Sequence, residues 1–171
     1  PAAIAKALRE FKGLPHRLTL VATIDGVRYI NDSKATNVDA MRRALESFDA
    51  PIVLVAGGRD KDGDFAAVTP LVLERVRHLV TLGEAAEKIE RTWPQVPTTR
   101  AATLEAAEAS ARSHATPGGV VLLAPGCAVH VVVGGSGAQR AWPGERRHVV
   151  DAAEGIDVDL RRDAALRGQR M

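Results

Sequence analysis

Val27-Arg28-Tyr29-Ile30 is a β-type run, Asn31-Asp32-Ser33-Lys34-Ala35-Thr36-Asn37 is a dense polar loop, and Val38, Met41, Ala44 and Leu45 follow at the spacing of one helix face. Strand, loop and helix in direct succession form the first half of a βαβ unit. Asn37 stands just ahead of the apolar stripe, where its side-chain oxygen can accept from an amide of the first helical turn. Upstream, residues 18–24 are β-rich and Asp25-Gly26 is a hairpin signal, so an antiparallel pair opens the sheet. Downstream the alternation continues. Residues 52–55 read as a buried strand closed by Gly57-Gly58, and a helix over 71–76 leads into a strand ending at Leu82. A further helix after Glu84 carries Ala86, Ile89 and Trp93, and Thr103 caps another that reaches about His114. Gly118-Gly119 then turns the chain into a strand over 120–124.

Short strands alternating with helices of ten or so residues predict an α/β fold. The expected form is a Rossmann-like, mainly parallel sheet flanked by helices, with an N-terminal hairpin-like pair of strands. Ligands of such sheets sit at the carboxyl ends of the strands. The polar loops at 31–37, 57–65 and 125–128 all follow predicted strands, which makes them the candidate site. Residues 1–12, with Ile4, Leu8 and Phe11 at helical spacing, read as a linker or helix tail from an upstream domain, and 13–128 as the domain proper. Residues 129–171 read as a divergent tail without sustained periodicity. With a helical pattern already running at Ala2 and no initiator Met, the chain is expected to begin within a longer gene product.

Composition narrows the classes. Hydrophobic residues at 46% and charged residues at 26% describe a globular chain, and 23 basic against 21 acidic residues argue against a nucleic-acid partner. Arg146-Arg147 and Arg161-Arg162 lack interleaved aromatics and read as solvated surface. A single cysteine, Cys127, cannot close an internal disulfide, and no apolar run approaches the roughly 20 residues that span a bilayer. The expectation is a cytoplasmic protein without a membrane partner.

The loop at 31–37 offers an acid, a cation, hydroxyls and the amides of a helix start, a set suited to an anion. Turn-and-cap chemistry alone favours the same residue types. In Gly57-Gly58-Arg59-Asp60-Lys61-Asp62-Gly63-Asp64-Phe65 the glycines allow close backbone approach, and Arg59 and Lys61 suit a carboxylate or phosphate. Its acidic spacing is not a calcium loop, since Leu71 stands where the bidentate Glu belongs. Gly134-Gly135-Ser136-Gly137 lacks the full dinucleotide fingerprint, no phosphate-loop motif occurs, and the five histidines show no metal-ligand spacing. Cys127 reads as a small buried side chain.

Taken together, Phe11-Lys12-Gly13-Leu14-Pro15-His16-Arg17, the block from Gly26 through Asn37, the loop with Gly57-Gly58, Lys61 and Asp64-Phe65, and Leu122-Leu123-Ala124-Pro125-Gly126-Cys127-Ala128 resemble a known family. In order and spacing these blocks are similar to the C-terminal domain of the UDP-N-acetylmuramoyl-L-alanine–D-glutamate ligases, a branch of the Mur ligase family. The likeness covers about residues 2–128. It implies an ATP-dependent acid–amino-acid ligase of peptidoglycan synthesis. Such a ligase activates a substrate carboxylate as an acyl phosphate, which the amine of D-glutamate attacks. A Rossmann-like last domain then closes over the site. The resemblance assigns Arg17, Asp32 and Ser33 to ATP, Lys34 to the catalytic centre near the phosphates or reacting carboxylate, and Thr36 and Lys61 to the D-glutamate side chain. It places Mg2+ and most of the ATP site in an upstream domain, so no metal ligand is expected in this chain. The implied partners are ATP, D-glutamate, UDP-N-acetylmuramoyl-L-alanine and the upstream domains, and this segment alone is expected to be inactive.

The family pattern continues past Ala128 with a Ser and then Asp and Phe residues of the D-glutamate pocket. Here Val129 and His130 follow instead and the Asp and Phe are missing, so a change of reading frame or a gene-model error near Ala128 is expected. Two other readings accompany the first. One is a related ligase, of the folylpolyglutamate or cell-wall peptide type, that adds another amino acid. The other is a non-catalytic nucleotide-binding or partner-binding module on the same fold.

Overall fold

The computed structural model describes residues 14–128, together with Ile4, Lys6 and Glu10, each of which is helical. The expectations for most of residues 1–12 and for the tail at 129–171 lie outside the described residues. The described chain forms β1 (Thr19–Ile24), β2 (Val27–Asn31), α1 (Val38–Glu46), β3 (Ile52–Gly57), a 3-10 turn (Phe65–Val68), α2 (Thr69–Arg75), β4 (Val76–Leu82), α3 (Ala86–Thr92), β5 (Thr98–Ala101), α4 (Leu104–His114) and β6 (Val120–Leu123). The six strands form one sheet in the order β1-β2-β6-β3-β4-β5. β1 is antiparallel to β2, and every other pairing is parallel. The mainly parallel α/β sheet with its opening hairpin is therefore present as expected.

The hairpin turns on Asp25 (φ 52°) and Gly26 (φ 77°), two consecutive left-handed residues whose twist matches that of the flanking strands. Its register runs from Ile24 opposite Val27 to Ala22 opposite Tyr29, and shifts at a bulge between Leu20 and Ala22. Asn37 caps α1 by accepting from the Ala40 N–H at 2.8 Å, and Thr103 caps α4 through the Ala106 N–H at 3.2 Å. Both caps fall where the sequence puts them.

β3 and β6 are apolar and buried throughout because both faces of the sheet are covered there. On β3, Ile52, Leu54 and Ala56 join one core while Val53 and Val55 join the other. β6 divides in the same way, with Val120 and Leu122 on one face and Val121 and Leu123 on the opposite face. The first core receives Met41 and Leu45 of α1, Phe65 and Val68 of the 3-10 turn, Val72 of α2 and Ile89 of α3. Trp93 closes it, fully buried, edge-on to Phe65 at 5.8 Å and donating its indole N–H to Thr69 Oγ1 at 3.1 Å. The second core receives Ala107 and Ala111 of α4, whose small side chains let the helix lie close to the sheet.

The structure corrects the sequence expectations in detail. β5 was not anticipated: it has four residues, one buried, and borders the sheet, so no face of it imposes an apolar alternation. The 3-10 turn was also unforeseen. The helix expected over 71–76 begins at Thr69, with Pro70 in its first turn, and yields Val76 to β4.

Gly57 ends β3 at φ +120°, and a β-carbon there would stand 2.1 Å from the Leu82 carbonyl oxygen of the paired strand. A clash with backbone cannot be relieved by a rotamer change. Gly57→Ala is expected to cost roughly 2–4 kcal/mol, read as a lowered urea midpoint of the whole chain. His78 of β4 stacks on His114 with ring centroids 3.5 Å apart, and its Nε2 meets Thr99 Oγ1 at 2.9 Å. Burial and then the neighbouring His114 hold its pKa below the ordinary value. The folded state therefore prefers neutral His78, and the associated stability is present above the unfolded pKa of about 6.5 and lost as pH falls through it. His78→Gln should flatten the fall in melting temperature between about pH 7 and 5; an unchanged slope would show that His78 does not set it.

Candidate functional site

β2, β6 and β3 are adjacent and parallel, so their carboxyl ends open on one edge of the sheet. The loops at 31–37, 125–128 and 57–65 emerge there side by side, and backbone hydrogen bonds lace them together. Gly126 N–H donates to the Ala35 carbonyl at 2.8 Å, Gly57 N–H to Pro125 at 3.0 Å, and Arg59 N–H to Ala128 at 2.8 Å. Gly126 sits at φ +66°, and a β-carbon there would be 2.5 Å from Met41 Cε and 3.1 Å from Phe65 Cε1. The loop after β4 joins the same edge: Gly58 N–H donates to Leu82 and Ala85 N–H to Gly58, at 3.0 and 2.9 Å.

The loop at 31–37 is a chain of tight turns. Asp32 N–H extends the ladder to the Leu123 carbonyl at 2.9 Å, and Ser33 N–H donates to Asn31 Oδ1 at 2.9 Å. Ala35 N–H donates to the Asp32 carbonyl at 2.9 Å, and Lys34 N–H to the His16 carbonyl at 3.3 Å. Asn31 Nδ2 also approaches His16 Nδ1 at 3.5 Å, the outer limit of a hydrogen bond. These bonds draw residues 16–18 against the loop. His16 (φ 61°) and Leu18 (φ 48°) are left-handed, an unusual state for leucine.

Asp32 and Ser33 are buried, while Arg17, Lys34, Thr36 and Lys61 are exposed. Asp32 Oδ1 and Ser33 Oγ are buried without a hydrogen-bond partner. Burial raises the Asp32 carboxyl above the usual carboxylate range, an effect that the Leu18 N–H and the Arg17 charge partly oppose. A buried acid with an unpartnered oxygen, beside an unpartnered hydroxyl and a nearby guanidinium, is a polar cradle suited to a ligand bearing both hydroxyl donors and anionic groups. The structure thus gathers Arg17, Asp32, Ser33 and Lys34 around one loop. Thr36 lies at the far end of that loop, ahead of α1. Lys61 comes from the separate loop after β3, which turns back so that Gly63 packs against Val38.

Two features were not singled out from the sequence. His16, buried under the loop, carries no motif of its own beyond the Leu-Pro-His-Arg string. Asp60 pairs with Lys88 of α3, whose Nζ lies 3.0 and 3.3 Å from its two carboxylate oxygens. Their separation of 28 residues leaves no local signal for the pair. Cys127 is buried as expected, and burial pushes its thiol up to about 11, which leaves it a poor nucleophile. Among the described residues, no group of three or more His, Cys, Asp or Glu side chains is placed to hold a metal ion, and no helix is long and apolar enough to cross a membrane.

A family profile described as "Mur ligase, glutamate ligase domain" matches residues 16–127. The chain is 55% identical over 126 residues to the UDP-N-acetylmuramoylalanine–D-glutamate ligase of Salinibacter ruber, a match that covers 72% of this chain and 27% of that protein. The ligase of the same name from a Geobacter species is 50% identical over 123 residues, covering 71% and 27%. The chain therefore spans about a quarter of the length of these curated relatives. Among solved structures, the UDP-N-acetylmuramate–alanine ligase of Thermotoga maritima superposes with a TM-score of 0.57 at 18% identity, over 73% of this chain and 30% of that one. At that identity the likeness speaks for the fold alone. With the profile spanning every strand of the described sheet, the chain belongs to the Mur ligase family and carries its C-terminal glutamate ligase domain.

Proposed function

We propose that this domain presents the amino acid in an ATP-dependent ligase that joins D-glutamate to UDP-N-acetylmuramoyl-L-alanine in peptidoglycan synthesis. The observation that carries the reading is the lacing of three polar loops at the carboxyl ends of β2, β6 and β3, which puts Lys34 and Lys61 on one edge of the sheet. The choice of D-glutamate is supported by the activity for which relatives that share about half of the aligned residues are named. In this reading Arg17 offers its planar fork to phosphate oxygens, and the unpartnered Asp32 and Ser33 oxygens receive hydroxyl groups of ATP. Lys34 lies near the transferring phosphoryl group and the carboxylate that accepts it, where a cation lowers the cost of gathered negative charge. The Thr36 hydroxyl and the Lys61 ammonium hold the side-chain carboxylate of D-glutamate, which orients its amine toward the activated carboxyl. Magnesium, when bound, neutralises phosphate charge; the reading assigns its ligands to the other domains of a full-length ligase, as it does the UDP-sugar site. A cytoplasmic location goes with these substrates.

The test is a full-length chimera in which residues 14–128 replace the corresponding segment of the Salinibacter ruber relative. Phosphate release that requires D-glutamate, ATP and UDP-N-acetylmuramoyl-L-alanine together is expected. A chimera that melts cooperatively yet releases phosphate only with another amino acid, or not at all, overturns the reading. In the active chimera Lys61→Met should raise the KM for D-glutamate about tenfold or more, with the KM for ATP within about twofold of its starting value.

Asp32→Asn should separate function from stability. The folded state disfavours ionised Asp32, so its penalty is complete above the raised folded pKa and fades as pH falls below it. The Asn variant of the 171-residue chain should melt higher than the original near pH 7, by about a degree or more, and lose that advantage toward about pH 4. The same substitution in the chimera should weaken ATP use. A lower melting temperature at neutral pH would show that the ionised carboxylate stabilises the loop.

A further inference from the structure

The loop at 57–65 is pinned on both sides of Lys61. Arg59 N–H donates to the Ala128 carbonyl at 2.8 Å, and Gly63 packs on Val38, where a β-carbon would stand 3.1 Å from Val38 Cγ2. Between these anchors stand Asp60, Lys61 and Asp62, of which Asp62 is left-handed at φ 56°. Asp60 is the one member of this trio with a partner on another element. Its carboxylate meets Lys88 Nζ at 3.0 and 3.3 Å, and it also interacts with the backbone N–H groups of Asp62 and Lys61. Lys88 reaches the far end of the loop as well, with Nζ 5.9 Å from the centre of the buried Phe65 ring. One ammonium therefore bonds the residue before Lys61 and lies over the ring of the residue that ends the loop.

Lys88 stands in the first turn of α3, where the exposed amide ends of a helix disfavour a cation. Asp60 and the Phe65 face offset that placement. An ion pair as open as this one, with side-chain exposures of 40% and 25%, contributes little to stability. It also has an electrostatic consequence beside the site. Without Lys88, the Asp60 carboxylate would adjoin Lys61 unneutralised, where it competes for the Lys61 ammonium and repels an incoming carboxylate.

We propose that Lys88 is a positioning residue for Lys61: through Asp60 it fixes the backbone that presents the Lys61 ammonium and screens the neighbouring acid from an anionic amino-acid side chain. The substrate part of this inference rests on the reading that Lys61 receives the side-chain carboxylate of D-glutamate; the hold on the loop does not.

Two measurements separate the parts. Amide hydrogen exchange on the 171-residue chain, with and without Lys88→Met, reads the loop directly. Exchange at Lys61 and Asp62 should quicken roughly tenfold while the β3 and β6 amides stay protected. Unchanged exchange at Lys61 and Asp62 overturns the proposal, and loosening spread across the sheet reduces the pair to an ordinary fold contact. In the chimera, Lys88→Met should raise the KM for D-glutamate roughly tenfold with the KM values for ATP and the UDP-sugar within about twofold, and Lys88→Arg should restore most of the loss. All three KM values rising together overturns the positioning role. If Lys61→Met leaves D-glutamate use untouched while Lys88→Met still loosens the loop, the substrate assignment fails and the hold on the loop stands.

Discussion

β6 bonds to β2 along one side and to β3 along the other, and the loop that follows it then hydrogen-bonds the loops leaving both neighbours. Everything at the site depends on that insertion. β2 and β3 have no pairing with each other, so without β6 their carboxyl ends would have no fixed separation. Strands in a sheet stand about 4.8 Å apart, which puts the two polar loops roughly 10 Å apart across β6. That spacing suits a ligand gripped at two points, one by the loop at 31–37 and one by the loop at 57–65. The bonds that set it are main-chain bonds, so the geometry tolerates side-chain change wherever a glycine is not required.

Glycine is required where backbones touch. At Gly57 and Gly126 the left-handed φ and the space denied to a β-carbon coincide, one against the Leu82 carbonyl and the other against Met41 and Phe65. These contacts link the site to the first core: the Phe65 ring that limits Gly126 is also the ring that Trp93 meets edge-on and Lys88 lies over. Packing under the sheet and charge at its edge are thus joined through one aromatic side chain.

Most of the architecture was legible because its determinants are local. The Asp25-Gly26 turn, the Asn37 and Thr103 caps and the apolar strands at 52–55 and 120–124 each announce themselves within a few residues. β5 did not, because an edge strand with one buried residue bears no pattern that burial imposes. The site divides along the same line. The polar loops could be found from composition and from their place after strands, and their chemistry came from resemblance to a family. What could not be read was burial: that Asp32 lies under the surface while Lys34, two residues on, is exposed depends on residues 16–18 folding over the loop. The pairing of Asp60 with Lys88 was equally hidden, since it spans an intervening strand and two helical segments.

The order of the strands has a consequence for synthesis on the ribosome. A chain emerging from its amino end completes β1 to β5 before β6 exists, and the sheet then lacks its middle strand. The nascent domain therefore presents two further open strand edges, those of β2 and of the apolar β3, each able to pair with a stray strand from a neighbouring chain. Closure waits for residues 120–123, and the polar loops are aligned only when β6 enters the gap.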